Sequence, residues 1–406
     1  MRRLPSFARA KVMLMKFAPL VDRIAGGGAD TWRVHDKAMA LAAAGRAVTF
    51  LTIGDPDQAA ASLIIEGARA SLAAHHKGYA PIGGQPALRA AIAQRIERRS
   101  GAPCAAENVV ITQGAQAGLY CAMQCLVGPG DVVIGLDPVY ATYGAVVAAS
   151  GGTLVKVPLD GDRAFHPDLA AIEAAVTPRT RALLINSPHN PTGAVFDQSE
   201  KLALLDLCRR HDLWLISDEV YEDMAYARPH VSVWSLPEAA GRVVVVSSLS
   251  KSHAIPGFRL GWAAAPAQLT GHIVNLLMCL AFGGPPFIQE AVLPALQSDL
   301  PEVAVLRGDY RRRGAAMAAV LGSAPGCAVS PPEGGMFLLL DVRPTGLGAT
   351  AFAEGLLESE GVAILPCDAF GANVAGRLRI SLTLPDAELL AAGRRIVAFA
   401  ETLRAA

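Results

Sequence analysis

The sequence has no surplus of charge of either sign: 36 Lys+Arg balance 36 Asp+Glu over 406 residues. A nucleic-acid partner needs clustered excess positive charge, so none is expected. Charge of any kind is scarce, at 18% of residues against 52% hydrophobic, and that balance excludes disorder. A mean hydropathy of +0.34 raises the question of a membrane. A long apolar run is nevertheless missing. The longest stretch free of Asp, Glu, Lys and Arg, residues 260–289, is broken by Pro266, His272, Asn275, Pro285 and Pro286. Its continuous apolar part is about ten residues, where a spanning helix needs about 20. It reads as a strand followed by a buried helix, and no membrane partner is expected.

Disulfide and zinc patterns are missing too. Seven cysteines make an odd number with no CxxC pair, most of them in apolar surroundings. Buried free thiols in a reducing cytoplasm are expected. The basic start Met1-Arg2-Arg3 is followed by an apolar run, 12–15, too short for a secretory core, and no small-residue cleavage site follows. No signal peptide is read there; a translation start at Met13 or Met15 is expected instead.

No internal repeat or low-complexity linker stands out. The length suits two domains with ample core in each. Short β-branched runs occur at 109–112, 132–136, 154–157, 182–186, 213–217, 243–247 and 260–264, separated by helical patterns such as 199–210. Buried runs alternating with helices predict an α/β domain with a mostly parallel, seven-stranded sheet covered by helices, over about residues 65–295. A long helical pattern follows at 288–321, with Arg311-Arg312-Arg313 expected on a solvated face. Strands at 336–342, 362–365 and 377–382 and helices at 350–359 and 386–403 then predict a smaller α+β domain. The expected division is 1–64, an N-terminal arm and part of the small domain; 65–295, the large domain; and 296–406, an interdomain helix and the rest of the small domain. A cleft between two such domains is the default place for a ligand.

In open α/β sheets the ligand lies outside the carboxyl ends of the strands, and those ends are unusually polar here. Run 109–112 leads into Gln113-Gly114-Ala115-Gln116 before a helix. Run 182–186 leads into Ser187-Pro188-His189-Asn190-Pro191-Thr192-Gly193, and 213–217 into Asp218-Glu219-Val220-Tyr221. Run 243–247 leads into Ser248-Leu249-Ser250-Lys251. Each alone is weak: a Gly-rich turn is most often a turn, and an Asp after a strand most often caps a helix. Lysine, however, is scarce, seven against 29 arginines, and Lys251 alone among them directly follows a run of this sheet. Lysine can lose its proton and form an imine; arginine cannot. A lysine, a carboxylate, phenol and amide donors, and a helix N-terminus suited to phosphate together match the needs of pyridoxal 5′-phosphate.

Ser248-Leu249-Ser250-Lys251, followed by Pro256-Gly257-Phe258-Arg259-Leu260-Gly261-Trp262, resembles the lysine signature of class I/II (fold-type I) aminotransferases. Gly54-Asp55-Pro56-Asp57, Tyr79-Ala80-Pro81-Ile82-Gly83-Gly84, Asn190-Pro191-Thr192-Gly193 and Asp218-Glu219-Val220-Tyr221 resemble further motifs of that family, in its order and spacing. The resemblance implies a PLP-dependent transaminase in which Lys251 carries the cofactor as a Schiff base and moves protons. Asp218 would pair with the pyridine nitrogen, and Asn190 and Tyr221 would donate to the phenolate oxygen. Gly114, Ala115 and Gln116 would hold the phosphate through backbone N–H groups, with Ser248 and Arg259. Tyr140 would stack on the ring, and Tyr79 would reach the phosphate of the other subunit of a homodimer. Arg379, with Gly54 and Asn190 beside it, would bind the substrate α-carboxylate, with Arg377 as runner-up. Phe258, where many relatives have Trp, would only pack, and His189 is read as structural. Trp32 lines the substrate side chain or anchors its own segment.

Within the family, Gly28-Ala29-Asp30-Thr31-Trp32, residues 247–254, residues 280–289 and Gly334-Gly335-Met336-Phe337 look closest to arginine–pyruvate transaminases. Ile255-Pro256-Gly257-Phe258 departs from that likeness. The implied activity moves the α-amino group of an L-amino acid, arginine or a broader set, to a 2-oxo acid such as pyruvate, by a ping-pong route. The alternatives are an aspartate/aromatic-type aminotransferase using 2-oxoglutarate and a C–S β-lyase on the same scaffold.

Overall fold

The computed structural model describes residues 16–25, 32–74 and 78–405. The expected start at Met13 or Met15, and Gly28 to Thr31 of the transaminase-like stretch, lie outside them. In chain order the strands are β1 (Thr49–Phe50), β2 (Val109–Thr112), β3 (Val132–Asp137), β4 (Thr153–Pro158), β5 (Thr180–Asn186), β6 (Trp214–Asp218), β7 (Val243–Ser248), β8 (Gly261–Ala264), β9 (Ala328–Val329), β10 (Phe337–Asp341), β11 (Val362–Ala363), β12 (Leu365–Pro366) and β13 (Arg377–Ser381).

Seven of them form one sheet in the order β2-β8-β7-β6-β5-β3-β4. Only β8 runs antiparallel to its neighbours; the other pairs are parallel. The reason is in the sequence. Every residue of β3 and β7 is buried, so these strands need apolar cover on both faces. On one face the helices Ala115–Leu126 and Ala267–Leu280 contribute Leu119, Met123, Ile273 and Leu277 to a core with Val133, Val244 and Val246. On the other, Leu204, Leu207 and Cys208 of the helix Gln198–Arg210 pack on Ile134, Leu183 and Leu215. That helix begins at a capping box, Asp197 accepting from Glu200 N–H and Glu200 from Asp197 N–H.

The smaller unit is an antiparallel sheet, β12-β13-β10-β9, packed against the helices Pro301–Leu321, Ala349–Glu360 and Asp386–Ala405. Val34, Ala38 and Leu51 share its core, and β1 pairs with β11. The architecture is α/β, with a mostly parallel sheet and a smaller α+β unit.

Four expectations need correction. The single helical pattern at 288–321 is two helices, Pro286–Leu296 and Pro301–Leu321. Pro301 opens the second helix in its first turn, where a missing N–H costs nothing. Residues 362–365 divide between β11 and β12, which belong to different sheets. Of the three arginines expected in solvent, Arg313 is buried, at 6% exposure. The thiols are also less uniformly buried than expected: Cys121, Cys208 and Cys367 are buried, whereas Cys279 is exposed. Among the described residues no helix is long and apolar enough to cross a membrane.

Candidate active site

The register of the large sheet brings its polar strand ends together. Asn186 pairs with Asp218 across β5 and β6, Ser248 pairs with Gly261 across β7 and β8, and Gly261 faces Thr112 of β2. The loops leaving these ends surround a cavity of about 250 Å³ lined by Asp55, Ala115, Gln116, Tyr140, Tyr143, Asn186, Asn190, Asp218, Tyr221, Ser248, Lys251 and Arg259 among others.

Lys251 is largely buried. Its Nζ donates to the Gly54 carbonyl at 2.6 Å and lies 3.8 Å from Asp55 Oδ1. Burial pulls its pKa below the ordinary lysine value; Asp55 opposes that shift, and Arg379 and Arg259 add to it. A lysine with a weakened hold on its proton is what imine formation requires.

Asp218 is buried at the end of β6. Oδ2 accepts from the Tyr143 hydroxyl at 2.8 Å and Oδ1 from Val220 N–H at 3.1 Å. Burial pushes its pKa up to about 6, partly countered by those two hydrogen bonds. No cation contacts this carboxylate among the described residues, so a positive group entering the cavity would relieve its desolvation. Asn190 Nδ2 donates to the Tyr221 hydroxyl at 3.4 Å. Asn186 ties the two sides together, donating to the Asp218 carbonyl at 2.9 Å and accepting from Asn190 N–H at 2.8 Å.

At the opposite end, the helix Ala115–Leu126 points its N-terminus into the cavity. Gly114 has φ +84, a backbone conformation that favours glycine, and a Cβ there would push on the Arg259 guanidinium, 2.5 Å away at Nη2. Arg259 donates to the Gln113 and Pro256 carbonyls, which places a guanidinium beside the open helix N-terminus and Ser248. An anion of phosphate size suits that group.

Arg379, buried on β13, approaches from the smaller unit. Nη1 donates to Asn190 Oδ1 at 3.2 Å and Nη2 to the Thr52 carbonyl at 2.6 Å. Its guanidinium lies 4.1 Å from the Phe337 ring centroid and 5.5 Å from that of Phe370. Nε is buried without a partner, and among the described residues no carboxylate touches the group. Such a buried guanidinium matches a carboxylate. Arg377, the alternative clamp, is taken up elsewhere, by Asp341, the Asn373 carbonyl and the Phe165 ring.

Of the remaining expected residues, Tyr140 lines the cavity with its ring edge-on to Tyr143. Tyr79 does not line it: it is 85% exposed, against Phe282. His189 is buried in its turn, bonded to Thr192 and stacked on Phe196, and burial lowers its pKa to about 4. Trp32 sits edge-on to His35 and packs by Phe370, and Phe258 packs among apolar neighbours. Sequence reasoning missed Tyr143, Asn186, Asp55, Thr52 and Phe337. Tyr143 lies three residues after Tyr140 and closes a turn on it, its N–H donating to the Tyr140 carbonyl at 3.0 Å.

A family model for aminotransferase class I and II matches residues 46–396. The chain is 44% identical, over 96% of its length and 99% of the relative's, to an arginine–pyruvate transaminase of Pseudomonas aeruginosa. It is 34% identical to an aspartate/prephenate aminotransferase of Thermus thermophilus, covering 88% of the chain and 92% of the relative. Among solved structures, a double mutant of Thermus thermophilus aspartate aminotransferase superposes with a TM-score of 0.90 at 32% identity, covering 95% of this chain and all of that one.

Proposed function

The chain belongs to the class I and II aminotransferases, pyridoxal 5′-phosphate enzymes that move an amino group from an amino acid to a 2-oxo acid, and from that premise we propose arginine, or a broader set headed by basic amino acids, as donor and pyruvate as acceptor. The observation that carries this choice is the 44% identity to an arginine–pyruvate transaminase over nearly the whole of both chains. The charges of the cavity support it. Its described lining contains the cations Lys251 and Arg259 and the acids Asp55 and Asp218. Arg259 is engaged at the helix N-terminus, which leaves Arg379 for one carboxylate and no lining cation for a second. The described lining therefore offers a dicarboxylic acceptor no further cation for its second carboxylate, whereas pyruvate needs only Arg379.

When bound, the cofactor supplies an aldehyde that takes up the amino group and a ring that accepts the electron pair left at the α-carbon. The residues present fit it: an amine whose proton is loosened, a buried carboxylate without a cation, paired amide and phenol donors, and an anion-suited helix N-terminus. We assign Lys251 to hold the cofactor and then to take and return the α-proton. Asp218 keeps positive charge on the ring nitrogen, a stabilisation that grows as negative charge develops at the substrate. Tyr221 and Asn190 donate to the phenolate oxygen. Backbone N–H groups of Gly114, Ala115 and Gln116, with Ser248 and Arg259, hold the phosphate, and Tyr140 covers the ring. Arg379, with Asn190 and Gly54 beside it, orients the α-carboxylate of both substrates in turn.

The exposed Tyr79, Phe282, Leu280 and Met278 support a homodimer in which Tyr79 completes the partner's phosphate site; light scattering at one chain mass would sink it. The free thiols support a cytoplasmic setting, and domain boundaries near residues 64 and 295 remain part of the same proposal.

The decisive comparison is kcat/KM for arginine, lysine, alanine, aspartate and tyrosine, each with pyruvate and with 2-oxoglutarate. Arginine with pyruvate should lead. A tenfold lead for aspartate with 2-oxoglutarate, about 1.4 kcal/mol of transition-state preference, would replace this reading with an aspartate-type enzyme. Pyruvate and ammonia released from a cysteine-type donor without an oxo acid would instead indicate elimination.

A further inference from the structure

We propose that Arg313 is a positioning residue for the substrate carboxylate, acting at a distance through the two backbone segments that flank Arg379; the proposal rests on Arg379 binding that carboxylate. Three consecutive arginines on the helix Pro301–Leu321 fan out by about 100° each. Arg311 and Arg312 face outward, but Arg313 turns into the core beside Tyr310 and Met317. A buried guanidinium is costly unless each donor finds a partner.

Here the partners are specific. Nη1 and Nη2 meet Asp57 Oδ1 and Oδ2 at 2.8 and 2.9 Å, a two-bond fork. Nε donates to Asp386 Oδ1 at 2.9 Å and Nη1 also to the Leu382 carbonyl at 3.1 Å. One turn earlier on the same helix face, Asp309 Oδ2 accepts from Gln58 Nε2 at 2.6 Å. The loop holding Asp57 and Gln58 is thus fastened twice to one helix.

That loop also supplies the carbonyls of the proposed carboxylate subsite. Thr52 O accepts from Arg379 and Gly54 O from Lys251. The segment after Arg379 runs beside it: Ser381 N–H donates to Leu51 O at 2.9 Å, and Thr383 Oγ1 to Ile53 O at 3.2 Å. Arg313 grips both segments just beyond this contact, one through Asp57 and the other through Leu382 and Asp386. Its Nη1, Nη2 and Nε are taken up by Asp57, Leu382 and Asp386, so it acts through these neighbours rather than by touching the substrate. A bidentate fork fixes direction as well as distance. Loosening it lets the Thr52 carbonyl and the Arg379 guanidinium drift, and a misplacement of about 1 Å at such a site is costly.

The test uses Arg313→Lys, which keeps the charge and loses the fork, and Asp57→Asn, which keeps the shape. Should Arg313→Lys fail to fold, Asp57→Asn carries the test. In the cofactor-loaded enzyme, KM for donor and for acceptor should both rise about tenfold, with kcat at saturation within about threefold of wild type. The dissociation constant of propionate, read from the absorbance of the bound cofactor, should rise by a similar factor. An amine donor lacking the carboxylate should convert the cofactor at an unchanged rate. Lower thermal stability with unchanged KM and propionate binding would make Arg313 a purely structural tie and overturn the proposal. Arg379→Lys separates the premise: if it leaves KM and propionate binding unchanged, the carboxylate lies elsewhere. If it raises both while Arg313→Lys and Asp57→Asn raise neither, only the present inference fails.

Discussion

The Tyr143 hydroxyl donates to Asp218 Oδ2 at 2.8 Å, both residues being buried at the cavity wall. Burial pushes the phenol pKa well above its ordinary range, and the neighbouring Asp218 charge adds to the shift. Tyr143 therefore remains a donor at every working pH, and it favours the ionised form of a carboxylate that burial works against. A hydrogen bond to a buried charged group contributes about 1.5–3 kcal/mol.

Tyr143→Phe removes that donor and little volume. Asp218 should then hold a proton more tightly and compete with the cofactor ring nitrogen for it. The expected result is a kcat lowered about tenfold, near 1.4 kcal/mol in the barrier, with KM and thermal stability of the loaded enzyme little changed. Steady-state kinetics and a pH titration of cofactor absorbance would check it. A kcat within twofold of wild type would leave Tyr143 with a packing role only.

Asp218 itself yields a pH prediction for the cofactor-free protein. Its pKa is about 6 in the folded chain against an ordinary 3.8. Between these values the folded chain keeps a proton that the unfolded chain has lost, so stability falls as pH rises from about 4 to about 6 and stays lower above. A gap of about two units corresponds to roughly 3 kcal/mol as an upper value. Asp218→Asn should therefore raise the denaturation midpoint of cofactor-free protein at pH 8 and give no gain at pH 4, while the loaded enzyme loses most of its kcat. Equal stability of the two proteins at pH 8 would mean that Asp218 carries no desolvation penalty.

The elements that were legible in the sequence have one physical reason for it. Strands β3, β5 and β7 are covered on both faces, so they appear as continuous β-branched runs, and the polar residues that end them stand out. Asn190, Asp218, Ser248 and Lys251 meet because those ends are adjacent in the sheet. The helix Gln198–Arg210 announces itself through Asp197 and Glu200, three residues apart. The break before Pro301 was hidden because the apolar spacing continues across it and proline opens a helix as readily as it ends one. Arg313 was hidden for another reason. Three successive arginines look alike, and the partner that selects one of them, Asp57, lies 256 positions away. Arg379 could be placed on its strand by alternation, but its support by Phe337 comes from the neighbouring strand β10, where Phe337 pairs with Ser381.

Lys251→Ala should abolish covalent capture of the cofactor and lower turnover by roughly 10³-fold or more, the scale of losing a positioned proton carrier. Borohydride treatment of wild type followed by peptide mapping should place the label on Lys251. Lys201 is a second buried lysine, with its pKa lowered to about 8 by burial, and it makes a stringent control. Its Nζ is bonded to the Val231 carbonyl at 2.6 Å, away from the cavity. Label on Lys201 would overturn the site.

Gly54 connects the loop to the carboxylate clamp through space rather than backbone freedom. Its φ lies outside the left-handed region, but a Cβ there would stand 2.3 Å from Phe337 Cζ and 2.8 Å from Cε1. The Phe337 ring is the same one that lies 4.1 Å below the Arg379 guanidinium, a desolvated contact worth about 2 kcal/mol. Gly54→Ala must therefore displace the ring, at about 1–3 kcal/mol of overpacking, and withdraw support from Arg379. KM for both substrates should rise about tenfold. Adding Phe337→Leu removes the clash but also the ring, so the double variant should bind no worse than Phe337→Leu alone. A double-mutant cycle on KM measures this, with a coupling of at least ~1 kcal/mol expected between neighbours in contact. Additive losses would mean that the alanine methyl acts elsewhere, on the Gly54 carbonyl that accepts from Lys251, and the link through Phe337 would fall.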